Sequence, residues 1–254
     1  RLLDEQIPPR AWILEVGCGT GQLSNFLGLA SGRTVFGVDL CVNSLRLGKH
    51  FADEQGIDNV AFCQMNLFRP AFRQKSFHLV ICNGVLHHTS DPLTGFQTIA
   101  GLVKPGGFIL VGLYNTYGRI PTRLRRLLFR VSGRGLRGLD ARLRDEGLSD
   151  LRKDIWFSDQ YDHPRESTHT FGEVLRWFER SGIEFVTSIP KSRAFEPFFL
   201  HEQLFHAHPP GGWVDRGIVQ LGMLLRGDRE GGFFVMIGRR KPLGDAIQSG
   251  GDTE

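Results

Sequence analysis

Three glycines at alternate positions, in 15-EVGCGTG-21, follow directly on an apolar run near the start of the chain. The run 12-WILEV-16 has the composition of a buried strand, and Leu23 and Leu27 lie at helical spacing after Gly21. Glycine tolerates a positive φ and lets bare backbone approach another group closely. The pattern therefore predicts a strand, a tight turn and a helix, the first unit of an α/β sheet.

The alternation of strand and helix patterns continues along the chain. Further strands are predicted at 34-TVFGVD-39, 59-NVAFCQ-64, 77-FHLVICN-83, 108-FILVGL-113, 183-IEFVTS-188 and 233-FFVMIG-238. Helices are predicted between them, with Asp91-Pro92 as an N-cap followed by proline and Thr170 and Glu173 as a reciprocal capping box. We therefore predict a doubly wound, mostly parallel seven-stranded α/β sheet with a helical insertion between strands five and six.

Composition excludes several other classes of protein. The chain is 41% hydrophobic and 23% charged, as in ordinary globular proteins, and no apolar run reaches the ~18 residues needed to span a bilayer. Four cysteines without a C-x-x-C pair argue against a disulfide scaffold. They favour a reducing compartment, and we expect a cytoplasmic location.

The basic charge is concentrated in one segment. Residues 119–153 carry eleven Arg or Lys against four Asp or Glu, although the whole chain has a net charge of only +4. Within this segment the residues 118–131 predict a helix, with one apolar face formed by Ile120, Leu124, Leu127, Leu128 and Val131. Arg123, Arg126 and Arg130 fall largely off that face.

An acidic residue closes the second predicted strand. Asp39 lies eighteen residues beyond Gly21, where its carboxylate can accept hydrogen bonds from both hydroxyls of a ribose. A dinucleotide fingerprint would need a small residue at position 22, but that residue is Gln22 and the third glycine comes one position early. The order of elements thus favours a ribose-bearing cofactor other than a dinucleotide.

The pattern E-x-G-x-G-x-G resembles motif I of the class I S-adenosylmethionine (SAM)-dependent methyltransferases. The resemblance covers residues 11–113 and includes 84-GVLHHTSDP-92 after the fourth strand and 104-KPGGFILV-111 as the turn into the fifth. It implies SAM as cofactor. The positions that it implies for SAM binding are Glu15, Gly17, Cys18, Gly19, Gly21, Asp39, Leu40, Asn66, Leu67 and Asn83. It implies that 64-QMNLF-68 lies at the adenine, with Asn66 at a position that is usually aspartate, and that Asn83 lies near the methionine and methyl end of SAM.

Residues for the acceptor and for proton transfer are predicted in two places. His87 and His88 follow the fourth strand; His88 fits a structural role, and His87 is a candidate base where the acceptor must lose a proton. The second place is 156-WFSDQYDHPRESTHT-170, in which Tyr161 and His163 are further catalytic candidates. This stretch is either a substrate-facing lid or an ordinary polar connection. The predicted substrate contacts are Tyr114, Glu166 and His169.

Metal catalysis finds little support in the sequence. The stretch 201-HEQLFH-206 departs from H-E-x-x-H because its second histidine comes five residues after the first. On a helix these two side chains would point ~140° apart. We therefore expect no metal site, and we expect the cysteines to behave as small apolar residues.

The basic helix at 119–131 permits three interpretations. It is a solvated cap helix, or it binds an anionic group of a substrate or an acidic membrane surface, or it binds nucleic-acid phosphates. The residues 82-CNGV-85 lack an Asn/Asp-Pro-Pro-Tyr motif, and no aromatic–basic surface is apparent, which argues against nucleic acid. The sequence leaves the oligomeric state open.

These observations predict a SAM-dependent methyltransferase with a small-molecule or lipid-like, quinone-like acceptor. The alternatives are an RNA methyltransferase that uses the arginine-rich segment 119–153 and a SAM-binding module without catalysis. We divide the chain into a SAM-binding core, an inserted basic cap or lid, the C-terminal part of the core sheet and a flexible tail, at 1–116, 117–170, 171–242 and 243–254.

Overall fold

A computed structural model describes residues 2–30, 32–132, 140, 143–144, 147, 149–157, 161, 166–199, 201–225 and 232–242. It contains one seven-stranded sheet. The strands are β1 (Trp12–Val16), β2 (Thr34–Asp39), β3 (Val60–Gln64), β4 (Phe77–Asn83), β5 (Val103–Tyr114), β6 (Ile183–Ile189) and β7 (Phe233–Arg240).

Eight α-helices lie among the described residues. They are α1 (Leu2–Gln6), α2 (Gln22–Gly28), α3 (Val42–Glu54), α4 (Pro92–Ala100), α5 (Ile120–Ser132), α6 (Asp150–Phe157), α7 (Phe171–Arg180) and α8 (Trp213–Leu225), with a short 3-10 turn at Leu86–His88. In the described parts of the chain, no helix combines the length and the apolar character that a membrane span requires.

The strand order is β3-β2-β1-β4-β5-β7-β6. The pairs from β3 to β5 are parallel, whereas β7 pairs antiparallel with both β5 and β6. Strands β1 to β3 are added toward one edge of the sheet and β4 and β5 toward the other, so the strand order switches between β1 and β4. The carboxyl ends of these two strands border a crevice in which ligands of such sheets bind. The predicted doubly wound, mostly parallel seven-stranded sheet is confirmed.

Strand β5 is longer than the sequence predicts. The predicted turn 104-KPGG-107 lies inside the strand, because Val103 already pairs with Phe77 before the register shifts. A Cβ on Gly107 would come within 2.9 Å of the carbonyl oxygen of His78, so glycine lets the shifted segment stay against β4.

The two predicted helix caps differ in outcome. The Asp91 carboxylate accepts a hydrogen bond from the Thr94 N–H at 3.0 Å, with Pro92 at the first helical position, as predicted. Thr170 also caps α7 by accepting from the Glu173 N–H at 3.2 Å. The reciprocal half of the predicted capping box was wrong, because the Glu173 carboxylate is 2.9 Å from Nδ1 of His169 instead.

Apolar side chains cover both faces of the sheet. Helices α4 and α7 cover one face, where Phe96 and Phe178 stack with ring centroids 5.4 Å apart. On the other face Leu27 of α2 and Ala52 of α3 pack against the first strands. Because β1 and β4 are covered on both sides, their continuous apolar runs are buried, as parallel sheets require.

Helices α5 and α6 lie between β5 and β6 in the chain, at the position predicted for the insertion. The amphipathic helix predicted at 118–131 is present as α5, but its apolar face is exposed. Phe129, on another side of α5, packs instead against Phe157 and Tyr161 in a small separate cluster. The predicted flexible tail at 243–254 lies outside the described residues.

Replacing Phe96 with alanine should lower the free energy of unfolding by about 3–5 kcal/mol, since it leaves a cavity where α4 packs on α7. Phe51→Ala on α3 is the matched control, because this ring is half exposed. Urea denaturation of both variants measures the difference. Equal losses in the two variants would contradict the proposed packing of α4 and α7.

Candidate cofactor and acceptor site

The glycine loop between β1 and α2 is held on the end of β2. Gly17, Gly19 and Gly21 all have positive φ, at 73°, 53° and 71°. The N–H groups of Gly17 and Cys18 both donate to the carbonyl oxygen of Val38, at 2.7 and 3.0 Å. The backbone thus turns sharply at the carboxyl end of β1, where only glycine adopts these angles without strain.

The three glycines serve different purposes. A Cβ on Gly17 would lie 2.3 Å from the Val85 side chain, and a Cβ on Gly21 would lie 2.3 Å from the Phe62 ring. A Cβ on Gly19 would meet no atom within 4 Å. Gly17 and Gly21 therefore permit close packing, whereas Gly19 presents bare backbone to open space in which a ligand fits.

Asp39 joins this loop to the end of β2. One carboxylate oxygen accepts from the Gly19 N–H at 2.9 Å, and the other accepts from the Cys41 N–H at 2.8 Å. A carboxylate has about four lone-pair positions, so both oxygens can still accept from two ribose hydroxyls. The side chain expected to hold a ribose also sets the position of the loop.

Glu15, at the end of β1, and Cys18, within the loop, are both buried. The Glu15 carboxyl is buried and accepts a hydrogen bond from the Ser24 hydroxyl, and burial raises its pKa above the usual value. Burial also raises the pKa of the Cys18 thiol to about 12, so this thiol stays neutral near pH 7. Cofactor contact for both groups stays a prediction.

The residues predicted beside the adenine do not all present side chains to one space. Leu40 is exposed at the end of β2, and Asn66 is exposed after β3. The side-chain oxygen Oδ1 of Asn66 accepts from the Phe68 N–H at 3.0 Å, which fixes the orientation of the side chain. Leu67 is buried and faces Gly95 of α4, so side-chain contact with an adenine does not fit this residue.

The end of β4 carries the group predicted near the methyl end of the cofactor. Asn83 is exposed, and Gly84 follows it with φ of 81° and open space at its Cβ position. A Cβ on Gly112 of β5 would lie 1.9 Å from Oδ1 of Asn83 and 2.4 Å from the Phe233 ring. Gly112 thus lets the Asn83 side chain and the Phe233 ring lie next to one another.

Phe233 belongs to an aromatic cluster at the carboxyl ends of β4 and β5. The Tyr114 ring centroid is 4.4 Å from that of His87 and 5.6 Å from that of Phe233. The Arg119 guanidinium lies over the Tyr114 ring, 3.8 Å from its centroid. His87 and Tyr114 are buried, so this cluster forms an aromatic wall beside Asn83.

Residues 166–169 run along Tyr114 and cover His87. The His169 N–H donates to the Tyr114 carbonyl at 2.8 Å, and the Ser167 N–H donates to the His87 carbonyl at 2.8 Å. These backbone hydrogen bonds place residues 166–169, the end of the predicted stretch 156–170, over His87 and Tyr114. Residues 166–169 therefore cover the aromatic wall.

Glu166 and His169, which were predicted to contact the substrate, instead bond to other side chains of the protein. Glu166 is buried and accepts from Nε and Nη2 of Arg119, the former at 2.8 Å. His169 is buried between Ser167 and Glu173, each 2.9 Å from a ring nitrogen. This bonding gives Glu166 and His169 a supporting position, away from open space, and Tyr114 is the predicted substrate residue that lies in the wall.

The remaining catalytic candidates from the second cluster gain no support. The Tyr161 hydroxyl donates to the Asp140 carboxylate at 2.6 Å within the cluster of Phe129 and Phe157, and burial raises the pKa of the phenol above its usual value. A buried, hydrogen-bonded phenol of this kind is a structural group. His163 lies outside the described residues.

The structure shows no redox or metal cluster among the residues that it describes. The cysteines are unpaired thiols, and burial raises the pKa of Cys82 to about 12. In the same residues no group of three or more His, Cys, Asp or Glu side chains is arranged to hold a metal ion.

Comparison with known proteins places the site in a family. A model described as a methyltransferase domain matches residues 14–111, which include the glycine loop, Asp39, Asn66 and Asn83. This part of the chain is a methyltransferase domain, and the sheet has the fold of the class I SAM-dependent methyltransferases. The resemblance predicted from motif I is confirmed.

Two curated relatives are similar to this chain over different lengths. An uncharacterized protein of Synechococcus is 26% identical over 200 residues, which is 70% of this chain and 48% of the relative. A ubiquinone biosynthesis O-methyltransferase of Paracidovorax citrulli is 35% identical over 104 residues, 41% of this chain and 43% of the relative. The chain thus spans less than half the length of either relative.

A solved structure shows the same fold. PKMT2 from Rickettsia typhi in complex with AdoHcy has a TM-score of 0.62 and 16% sequence identity, over 94% of this chain and 51% of that chain. SAM is the cofactor that the match to a methyltransferase domain implies. The residues present fit that cofactor, because Gly19 leaves open space next to the Asp39 carboxylate and Gly84 leaves open space at the end of β4.

Three residues of the site have no signal in the sequence. Arg119 is one of many arginines in its segment, and its pairing with Glu166 joins positions 47 residues apart. Ser167 could not be predicted either, because its place in the site depends on a contact with the distant residue His87. Phe233 reaches the site because β7 pairs antiparallel with β5, opposite Tyr114.

Asp39→Ala should weaken SAM binding by about 10- to 150-fold, the effect of losing hydrogen bonds to a charged group. Isothermal titration calorimetry with SAM measures the change. Asp53→Ala is the matched control, because this carboxylate is exposed on α3 and pairs with Lys49. Unchanged affinity in Asp39→Ala would refute the ribose assignment.

Proposed function

We propose that this methyltransferase transfers the methyl group of SAM to a small-molecule or lipid-like acceptor, quinone-like molecules included. One observation carries the proposal: Asn83, on the cofactor side, and Phe233, in the aromatic wall, approach the same glycine, Gly112. An acceptor against this wall would lie beside the end of the cofactor that carries the methyl group. Aromatic faces favour an acceptor with a ring or an apolar body.

SAM, when bound, supplies a methyl group already activated by its sulfonium sulfur, so alignment rather than acid–base chemistry accounts for most of the barrier reduction. Asp39, Gly19 and Asn83 would hold and orient the cofactor. Tyr114 would fix the plane of the acceptor, and it is itself held between the Arg119 guanidinium and the Phe233 ring. The buried Arg119–Glu166 pair keeps that guanidinium in place.

We propose His87 as the group that accepts a proton where the acceptor loses one. Imidazole suits this role near neutral pH, and the ring packs against Tyr114 in the wall. His163 remains a second candidate from the sequence. The name of the Paracidovorax citrulli relative, an O-methyltransferase of ubiquinone biosynthesis, points to a hydroxyl acceptor of this type. A cytoplasmic location forms part of the proposal, because the four cysteines are free thiols.

An acceptor panel with isotopically labelled SAM tests the function. Prenylated phenols or quinols, polar carboxylic acids and transfer RNA are incubated with the protein, and the methylated products are quantified. Label should enter the phenolic or quinol compounds. Label in RNA alone would establish the RNA methyltransferase alternative, and tight SAM binding without turnover of any class would establish a binding module.

Tyr114→Leu should lower kcat/KM for the acceptor by roughly 10- to 100-fold, because a misplaced acceptor loses alignment with the methyl group. SAM affinity should be unchanged, since Tyr114 lies on the acceptor side. Tyr117→Leu, three residues further on and exposed, is the matched control. Equal activity of the two variants would remove Tyr114 from the acceptor site.

A further inference from the structure

Helix α5 exposes an apolar face that no described residue of the chain covers. Leu124 and Leu127 are each 58% exposed and Val131 is 82% exposed, and with Ile120 they follow the spacing of one helical face. Soluble helices normally turn such a face toward the core. In α5 the side toward the protein instead presents Thr122 and Phe129, which are buried.

Positive charge accompanies this face. Residues 117–139 contain seven arginines and no aspartate or glutamate. Arg123 and Arg126 flank the apolar positions of α5 in the sequence, and Arg123 is exposed. An apolar stripe with arginines beside it and no acidic residue is the composition of helices that lie in the interface of a membrane.

A second helix adds an exposed apolar face at the same end of the molecule. On α8, Val214, Ile218, Leu221 and Leu225 are exposed at the spacing of one helical face, and Trp213, at the start of the helix, is 81% exposed. The C-terminal half of α8 lies next to the residues that lead into α5, because a Cβ on Gly118 would lie 3.3 Å from Cβ of Met223. Gln220 of α8 also accepts a hydrogen bond from the Asn115 side chain at 3.0 Å.

A loop with exposed aromatic rings is tied to the start of α8. Phe195 is 92% exposed and has a φ of 60°, and Phe199 is also exposed. The Asp215 carboxylate of α8 accepts from the Ala194 N–H at 3.3 Å and from the Gly212 N–H at 2.9 Å. Phe195 is thereby held near Trp213, and such rings are enriched where protein meets the headgroup region of a bilayer.

We propose that α5, α8 and the Phe195 loop form a docking surface for an anionic phospholipid bilayer. Both parts of the surface find partners there, because headgroup phosphates attract the arginines and the acyl boundary takes up the apolar side chains. A second copy of the chain fits less well, since two α5 helices would bring like charges together. Nucleic acid would leave the leucine face exposed to water.

The surface also bears on access to the acceptor site, in a way that rests on the proposed function. Helix α5 begins six residues after Tyr114 and one after Arg119, so docking would bring the aromatic wall close to the membrane surface. A lipid-like acceptor would then reach the site from the bilayer. Docking itself requires no turnover, so it is tested separately from the methyl transfer.

Flotation of the full chain with vesicles tests the proposal. Binding to mixed phosphatidylglycerol–phosphatidylcholine vesicles should exceed binding to pure phosphatidylcholine. Replacing Leu124 and Leu127 together with glutamine should weaken binding at least about tenfold, since two apolar side chains no longer enter the interface. Arg123→Gln should weaken binding to the anionic vesicles by about fivefold.

The matched control replaces Leu47 and Phe51 of α3 with glutamine, because these two side chains are exposed to a similar extent. This control should bind vesicles as the original chain does. SAM calorimetry and circular dichroism verify that each variant is folded. Equal loss in control and α5 variants, or no preference for anionic vesicles, would overturn the proposal. A dimer in sedimentation experiments that the Leu124 and Leu127 replacements dissociate would also overturn it, in favour of a second copy.

Discussion

The contact between the Asp39 carboxylate and the bare N–H of Gly19 is the interaction on which the rest of the site depends. It joins the turn after β1 to the end of β2, and these strands lie side by side in the sheet. The loop therefore opens at the carboxyl edge of the sheet, beside the crevice between β1 and β4. Gly17 then packs on Val85, which brings the segment after β4 against the loop.

From that point the acceptor side is built by contacts between distant parts of the chain. Gly112 gives room to both Asn83 and Phe233, so the cofactor side and the aromatic wall share a boundary. The wall is stabilised from behind by Arg119, whose buried pairing with Glu166 satisfies a charge that would otherwise be costly to bury. Removing either partner would break this buried pair next to Tyr114.

The same connection between β5 and α7 has two roles. Residues 166–169 cover His87 through backbone hydrogen bonds, while α5 turns its apolar face outward. One part of the insertion therefore closes the proposed acceptor site, and the other extends to the surface. This division explains why the basic charge is concentrated in a segment that contributes little to the core of the sheet.

Local patterns were sufficient for the sheet, the glycine loop, Asp39 and the cap at Asp91, because each depends on neighbouring residues and on the periodicity of burial. They failed where a side chain can bond to either of two partners: Glu173 bonds to His169 and not to the Thr170 N–H. The pairing of Arg119 with Glu166, the arrival of Phe233 beside Tyr114 and the outward direction of the α5 leucines were decided only by tertiary structure. Composition and spacing describe which groups are present, whereas burial and pairing depend on which distant segments pack together.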